Sequence, residues 1–409
     1  MRPFVHVAAL TCLVAGCAAD AAVEAPTGET PAAVEDTAPP DAATEPAADD
    51  KSAPRDLNAL LRPIREKFDV PGMAGAIVAG GKLVAIGAVG LRDRGKPVAV
   101  DVADKWHLGS CTKAMTATVC AMLVEERKLS LDTKVGRVFP DVAGLHPGWL
   151  DATLDMLLRH HAGAPPNLDA DGLWGRLRGM SGASPQAQRR ALVEGVLKRP
   201  PVEKPGTKYV YSNAGYAIAG AMAEAATKTP WETLMAQRLF EPLGMKSAGF
   251  GAPGVKGAID QPRGHDKDGK AFEPGPNADN PAAIGPAGTV HCSISDWAKF
   301  VALHVRGERE NGGKRVLEPE SFLRLHTPTS NDSHYAMGWL VVSRPWAAGR
   351  ALTHSGSNTM WFCTTWLAPD RDFAVLVTCN QGGDEASKAC DAACGALIQD
   401  HVGRSSDAK

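Results

Sequence analysis

Two apolar runs, Met73 to Ala79 and Leu83 to Val89, stand on either side of Gly80-Gly81. Neither run alternates with polar residues, so both faces of each strand need cover, and two glycines supply the positive φ angles of a tight hairpin turn. The pattern predicts a hairpin inside a sheet with helices packed on both sides. Upstream, Leu57 to Leu61 with Ile64 and Phe68 reads as an amphipathic helix that stops before Pro71-Gly72. At 409 residues, with ordinary apolar and charged fractions, the chain has material for one large domain or two smaller ones.

The residues before this helix read differently. Arg2 followed by the short apolar run Val5 to Val14 has the layout of an export signal and is too short to span a bilayer. Leu13-Val14-Ala15-Gly16-Cys17 resembles the bacterial lipobox. Cleavage would then leave residues 1–16 as signal peptide and Cys17 as the lipid-bearing residue of an exported, membrane-anchored lipoprotein. An ordinary secretory signal is the competing reading. Ala18 after the cysteine, by analogy with other lipoproteins, points to the outer membrane or its periplasmic face. Nine acidic residues and no Lys or Arg lie between Ala18 and Asp50, in an Ala/Pro-rich context with little to bury. Residues 17–54 are therefore expected to be an extended tether, or an unprocessed propeptide. A net charge of -2 gives no reason to expect nucleic acid as a partner.

Chemistry enters at His107 to Thr116. Ser110 precedes Lys113 by three residues, at the start of a run with apolar residues at helical spacing, so both side chains share one face of a first turn. A serine hydroxyl needs a base, and a lysine whose charge is disfavoured by burial can serve as one. Ser-x-x-Lys alone fits a capped helix with a surface lysine equally well. A second stretch, Pro205 to Tyr216, runs from a Pro-Gly turn through Tyr211-Ser212-Asn213 into a helix expected from about Ala214 to Ala226. Tyr211 offers a phenol and Asn213 an amide that can hold a carbonyl or the lysine. Thr153 to Gly163 reads as a helix with a threonine cap that halts at glycine. Its His160-His161 pair is weighed as a metal site and rejected, because adjacent helix positions diverge. Pro165 to Pro205 reads as a turn-rich mobile wall over a cleft, with Trp174 as a contact.

The order of these parts resembles the serine β-lactamase-like superfamily, which includes class C β-lactamases, D-alanyl-D-alanine carboxypeptidases, D-aminopeptidases and esterases. Further landmarks are Pro71-Gly72, Leu154 to Gly163, Phe240 to Met245, Pro286-Ala287-Gly288, Ser295-Asp296-Trp297 and Tyr335 to Trp339. The resemblance implies an α/β fold of two subdomains, an antiparallel sheet flanked by helices plus a mainly helical part, over residues 55–404 with a short tail at 405–409. It implies a third motif on a late strand, where Leu352 to Ser357 occupies the place, and assigns His354, Gly356 and Ser357 to substrate binding. The N–H groups of Ser110 and Ser357 would form the oxyanion hole. His354 stands where class C enzymes carry lysine, and His-x-Gly is similar to esterases and D-aminopeptidases of the fold.

The function implied is a serine hydrolase that forms an acyl-enzyme on an ester or amide, with Ser110, Lys113 and Tyr211 catalytic and Asn213 binding substrate. No metal or cofactor is implied, and oligomeric state is open. A class C-type β-lactamase, a penicillin-binding sensor or non-catalytic cell-wall-binding module, and an inert structural lipoprotein remain as alternatives. Seven cysteines lie downstream of Cys17. Cys363 and Cys379 fall on neighbouring predicted strands and are candidates for a bond, whereas Cys390 and Cys394 are badly placed for one.

Overall fold

The computed structural model describes residues 53–309, 315–329 and 332–407. The signal peptide, Cys17 and nearly all of the tether lie outside the described residues. Among the described residues no helix is long and apolar enough to cross a membrane.

The unit that begins at Pro54 is built on an eight-stranded sheet. Its long strands are β1 (Gly72–Ala79), β2 (Lys82–Asp93), β3 (Leu340–Arg344), β4 (Gly349–Ser357), β5 (Phe362–Ala368) and β6 (Phe373–Cys379). They pair antiparallel in the order β2-β1-β6-β5-β4-β3. Arg55–Asp56 adds a short parallel edge to β2, and Lys96–Ala99 pairs with β2 as well. The hairpin forms as the glycine pair requires: Gly80 and Gly81 have φ of 58° and 73°.

Both faces of the sheet are covered. Met73 and Ile77 of β1 pack with Leu57 and Leu61 at α1 (Asn58–Lys67) and with Ala389, Ala393 and Leu397 of the last helix, which runs through Asp407. Ala74, Ala76 and Val78 face the other way. There they meet one continuous core with α2 (Thr112–Glu125), α3 (Asn213–Thr227) and α4 (Ile294–Arg306). Alternation along a strand sends neighbours to opposite layers, which is why a run with no polar member is needed here.

Two local expectations are corrected. The stretch from Pro165 to Pro205 holds two packed helices, Leu173–Gly179 and Pro185–Leu197, in place of a wall of turns. Ser184 caps the second by accepting the Ala187 N–H, and Leu192, Val193, Val196 and Leu197 are buried. Its polar start hid it, because Arg189 is fully buried and fastened to Glu224 of α3 (2.7 Å) and to Glu232 (3.0 Å). The helix that starts at Leu154, capped by Thr153, ends at Leu158, short of Gly163. His160 adopts φ 64°, a left-handed conformation that cannot continue a helix.

Candidate active site

Ser110 sits in a single 3-10 turn, Gly109–Cys111, that feeds directly into α2, so Lys113 follows it by one helical turn. Lys113 is fully buried at the centre of the apolar core, where an ammonium is poorly solvated. Burial lowers its pKa to about 7, against a smaller opposing influence from Cys111. Its Nζ donates to Asn213 Oδ1 (2.8 Å) and Ala287 O (2.9 Å) and lies 3.0 Å from Ser110 Oγ. Asn213 is the first residue of α3, whose cap is Ser212 through the Gly215 N–H. Ala287 is held from below, since Thr116 Oγ donates to the carbonyl of Pro286.

These partners fix the proton bookkeeping. Two of the three neighbours of the amine are carbonyl oxygens, which only accept. A neutral amine has two protons and one lone pair, so its protons go to Asn213 and Ala287 and its lone pair faces the hydroxyl of Ser110.

Tyr211 converges on the same point: Lys113 Nζ lies 4.8 Å from the centre of its ring. The ring is held by His160, 4.4 Å away between centroids. All four tyrosines of the chain, Tyr209, Tyr211, Tyr216 and Tyr335, pack around that one imidazole. His160 Nδ1 accepts the Ser212 N–H (3.1 Å), which orients the Tyr-Ser-Asn segment. Burial keeps its pKa well below 6.5, with the Lys113 charge adding to the effect. His161 points elsewhere, toward Asp332 (3.1 Å). The divergence of the two rings follows from the left-handed turn between them and the helix.

Strand β4 closes the site. An ideal Cβ on Gly356 would fall 2.0 Å from Leu108 O and 2.8 Å from Ser110 N, and one on Gly109 would fall 2.3 Å from Ser357 N. Only a glycine–glycine crossing allows this approach, and it brings the amide nitrogens of residues 110 and 357 to one place. His354 has two partners within the protein. It is buried, its Nδ1 donates to Ser355 O (2.6 Å), and its Nε2 lies 3.0 Å from the hydroxyl of Tyr335. The imidazole thus braces the strand against the tyrosine. Burial drives the Tyr335 phenol well above its usual pKa, so it remains a donor.

The roles of Tyr335, Ala287 and His160 escaped the sequence reading. Tyr335 and Ala287 lie in stretches recognised as landmarks, but nothing in their spacing says that Ala287 O faces the lysine or that the Tyr335 hydroxyl faces His354. The cysteine expectation also changes. The register sets Cys363 opposite Thr378 and Cys379 opposite Phe362, so the two sulfurs lie on opposite faces of the sheet. Cys363 instead faces Cys111 (3.5 Å between sulfurs) and Cys379 faces Cys390 (3.7 Å), all as free thiols.

Comparison with known proteins gives a consistent result. The chain is 29% identical over 333 residues to penicillin-binding protein 4 of Amycolatopsis lactamdurans, covering 78% of this chain and 83% of that one. It is 29% identical over 253 residues to the unguisins hydrolase ungD of Aspergillus violaceofuscus, covering 57% of this chain but only 42% of the relative. Its fold matches the octameric penicillin-binding protein homologue from Pyrococcus abyssi, with a TM-score of 0.67 and 24% identity over 84% of this chain and 76% of that one. The crystal structure of SurE matches equally well, with a TM-score of 0.67 and 22% identity over 85% and 75%. The family model described as Beta-lactamase spans residues 57–397, from the first turn of α1 into the last helix, and the chain belongs to that family.

Proposed function

We propose that this protein is an acyl hydrolase that opens an ester or amide through an acyl-enzyme on Ser110, of the esterase, D-aminopeptidase or D-alanyl-D-alanine peptidase type. The family is one of serine hydrolases, which supports the general class. The observation that carries the reading is the buried Lys113, 3.0 Å from Ser110 Oγ with both its other neighbours accepting. As the hydroxyl attacks the carbonyl, its proton passes to Lys113, and Tyr211 beside the amine shares in the transfer. Negative charge on the carbonyl oxygen is met by the N–H groups of Ser110 and Ser357. The ammonium then protonates the leaving group. Water, deprotonated by the same lysine, attacks the ester and frees Ser110.

His354, where class C enzymes carry lysine, argues against efficient β-lactam hydrolysis, because both of its ring nitrogens are engaged within the protein and neither is left for a β-lactam carboxylate. The names of the relatives keep one other reading in play, a penicillin-binding sensor that acylates and does not turn over. Export and anchoring through Cys17 belong to the same proposal, and radiolabelled palmitate carried by the wild type but not by Cys17→Ser checks them.

The decisive experiment exposes wild type and Ser110→Ala to a fluorophosphonate probe, a fluorescent penicillin and a panel of short acyl esters and D-amino acid amides. Ser110-dependent labelling with turnover of an ester or amide is the expected result. A lasting penicillin adduct without turnover selects the sensor, and labelling that survives Ser110→Ala overturns the assignment.

A further inference from the structure

Beside the nucleophile lies a buried polar chain that none of the steps above uses. Asp279 follows the short turn Pro276–Ala278, far in sequence from both Ser110 and Ser357, and is almost completely buried. One of its carboxylate oxygens lies 3.0 Å from His107 Nε2. The other arm of that histidine is fixed, because His107 Nδ1 accepts the N–H of Gly109 (3.1 Å). An imidazole nitrogen that accepts carries no proton, so the proton is on Nε2 and is donated to Asp279. The second carboxylate oxygen is also 3.0 Å from that Nε2, and it accepts from Asn358 Nδ2 (3.1 Å) and from the Asn280 N–H (2.7 Å), while Asn358 Nδ2 donates to Ala278 O as well (3.3 Å). Asn358 Oδ1 in turn accepts the N–H groups of Met360 (3.1 Å) and Trp361 (3.2 Å), which shapes the turn at the end of β4. Trp361 stacks on His107, 5.5 Å between centroids, and closes the loop.

The consequence lies in which residues these arms hold. Gly109 immediately precedes Ser110, and Asn358 immediately follows Ser357. We infer that Asp279 is a positioning residue that clamps the two halves of the oxyanion hole to each other, through His107 on the Ser110 side and through Asn358 on the Ser357 side. The two amides come from elements nearly 250 residues apart in sequence, which cross where Gly109 and Gly356 leave no room for a side chain; the side-chain bond between them nearest the crossing is that of Cys111 Sγ to His354 O (3.4 Å). Hydrogen-bond donors in such a hole work when held to within about 0.5 Å of the developing oxyanion. A thiol is a weak hydrogen-bond donor and a loose tie, whereas a single carboxylate bonded to both neighbours sets that spacing more firmly.

This inference rests on the proposed acyl-enzyme chemistry at Ser110, and the test separates the two. Labelling and ester turnover by the wild type establish the chemistry first. Their absence overturns that reading and the clamp with it. In Asp279→Asn one carboxylate oxygen becomes an NH2 group that faces a donor, so one arm breaks. The expected result is a kcat lower by about 10- to 100-fold, below the loss on deleting a whole oxyanion donor, with KM for the ester little changed. Affinity for an arylboronic acid, whose tetrahedral adduct places an oxygen in the hole, should fall by the same factor. Asn358→Asp, which sets two carboxylates against each other, should behave alike. The double variant Asp279→Asn with Asn358→Asp reverses the polarity of that hydrogen bond and leaves an acceptor for His107, at the loss of the bonds to the Asn280 N–H and Ala278 O, so it should recover part of the kcat and boronate affinity lost in either single variant. A folded Asp279→Asn with wild-type kcat and boronate affinity overturns the clamp. If neither single variant folds, a folded double variant as impaired as deletion of the hole overturns it equally.

Discussion

Lys113 can act as a base at neutral pH because the core removes its solvent, and every partner of its amine then bears on catalysis. Its ordinary pKa of 10.5 is brought down to about 7, so the free base is present above that pH and lost as the pH falls through it. The acylation rate of the wild type should therefore rise with pH and level off above about 7. Asn213→Asp tests the cause. A carboxylate 2.8 Å from Nζ favours the ammonium, and the rise should move to higher pH by about one to three pH units. Rates of labelling by a neutral phosphonate between pH 5 and 10 give both profiles, and an unmoved profile in Asn213→Asp would mean that Lys113 is not the titrating base. At this scale the sequence was legible where function follows spacing: Ser110 and Lys113 share a helical face, and Asn213 opens a helix. It was silent where function follows contact across the chain. His160 and His161 were read as one core and one solvated histidine in preference to a metal site, with no hint of the tyrosines around the first, and nothing local tells that Asp279 faces His107 or that Tyr335 faces His354.

Among elements, the close passage of β4 over the turn before α2 is the feature on which the site depends. The family resemblance assigned Gly356 to substrate binding. The structure gives a further reason for a glycine, since Leu108 O and Ser110 N fill the space of any side chain there. Gly356→Ala should lose about 1–3 kcal/mol of stability, the usual consequence of overpacking. It should lose phosphonate labelling almost entirely, because the strand must retreat from Ser110. Urea titration beside labelling checks both, and a variant that labels at the wild-type rate would disprove the steric argument. Element recognition itself succeeded for β1, β2, β5 and β6, whose apolar runs and turns announce them, and for β4 through the family resemblance. It failed for Pro185–Leu197, because a helix that buries an arginine against two glutamates presents no apolar stripe in its first turns.

For the molecule as a whole, the layer between the sheet and α2 contains a chain of buried polar groups that ties stability to pH. Thr118 Oγ of α2 lies 3.0 Å from His304 Nε2, His304 Nδ1 lies 2.8 Å from His326 Nε2, and His326 Nδ1 reaches Glu308 (2.6 Å). Arg350 of β4 holds the second oxygen of Glu308 (2.9 Å), and the histidine and arginine together bring that carboxyl to about 2 against the effect of its burial. Burial is the main reason that His304 and His326 have pKa values below 6.5, and each ring adjoins a second histidine or an arginine that disfavours its charge. His160 behaves in the same way. A base whose pKa is depressed on folding binds its proton more readily in the unfolded chain. Stability should therefore be intact above pH 6.5 and fall as pH drops below it, by up to about 1.4 kcal/mol per pH unit for each such histidine until its folded-state pKa is reached. Replacing His304 by Leu removes one of the protons taken up on unfolding and leaves Thr118 its bond to Ala114 O. His304→Leu loses some stability at pH 8, where His326 is left short of a partner, yet its melting temperature should decline less steeply from pH 7 to 5 than that of the wild type. Parallel slopes for the two proteins would place the acid sensitivity outside this chain.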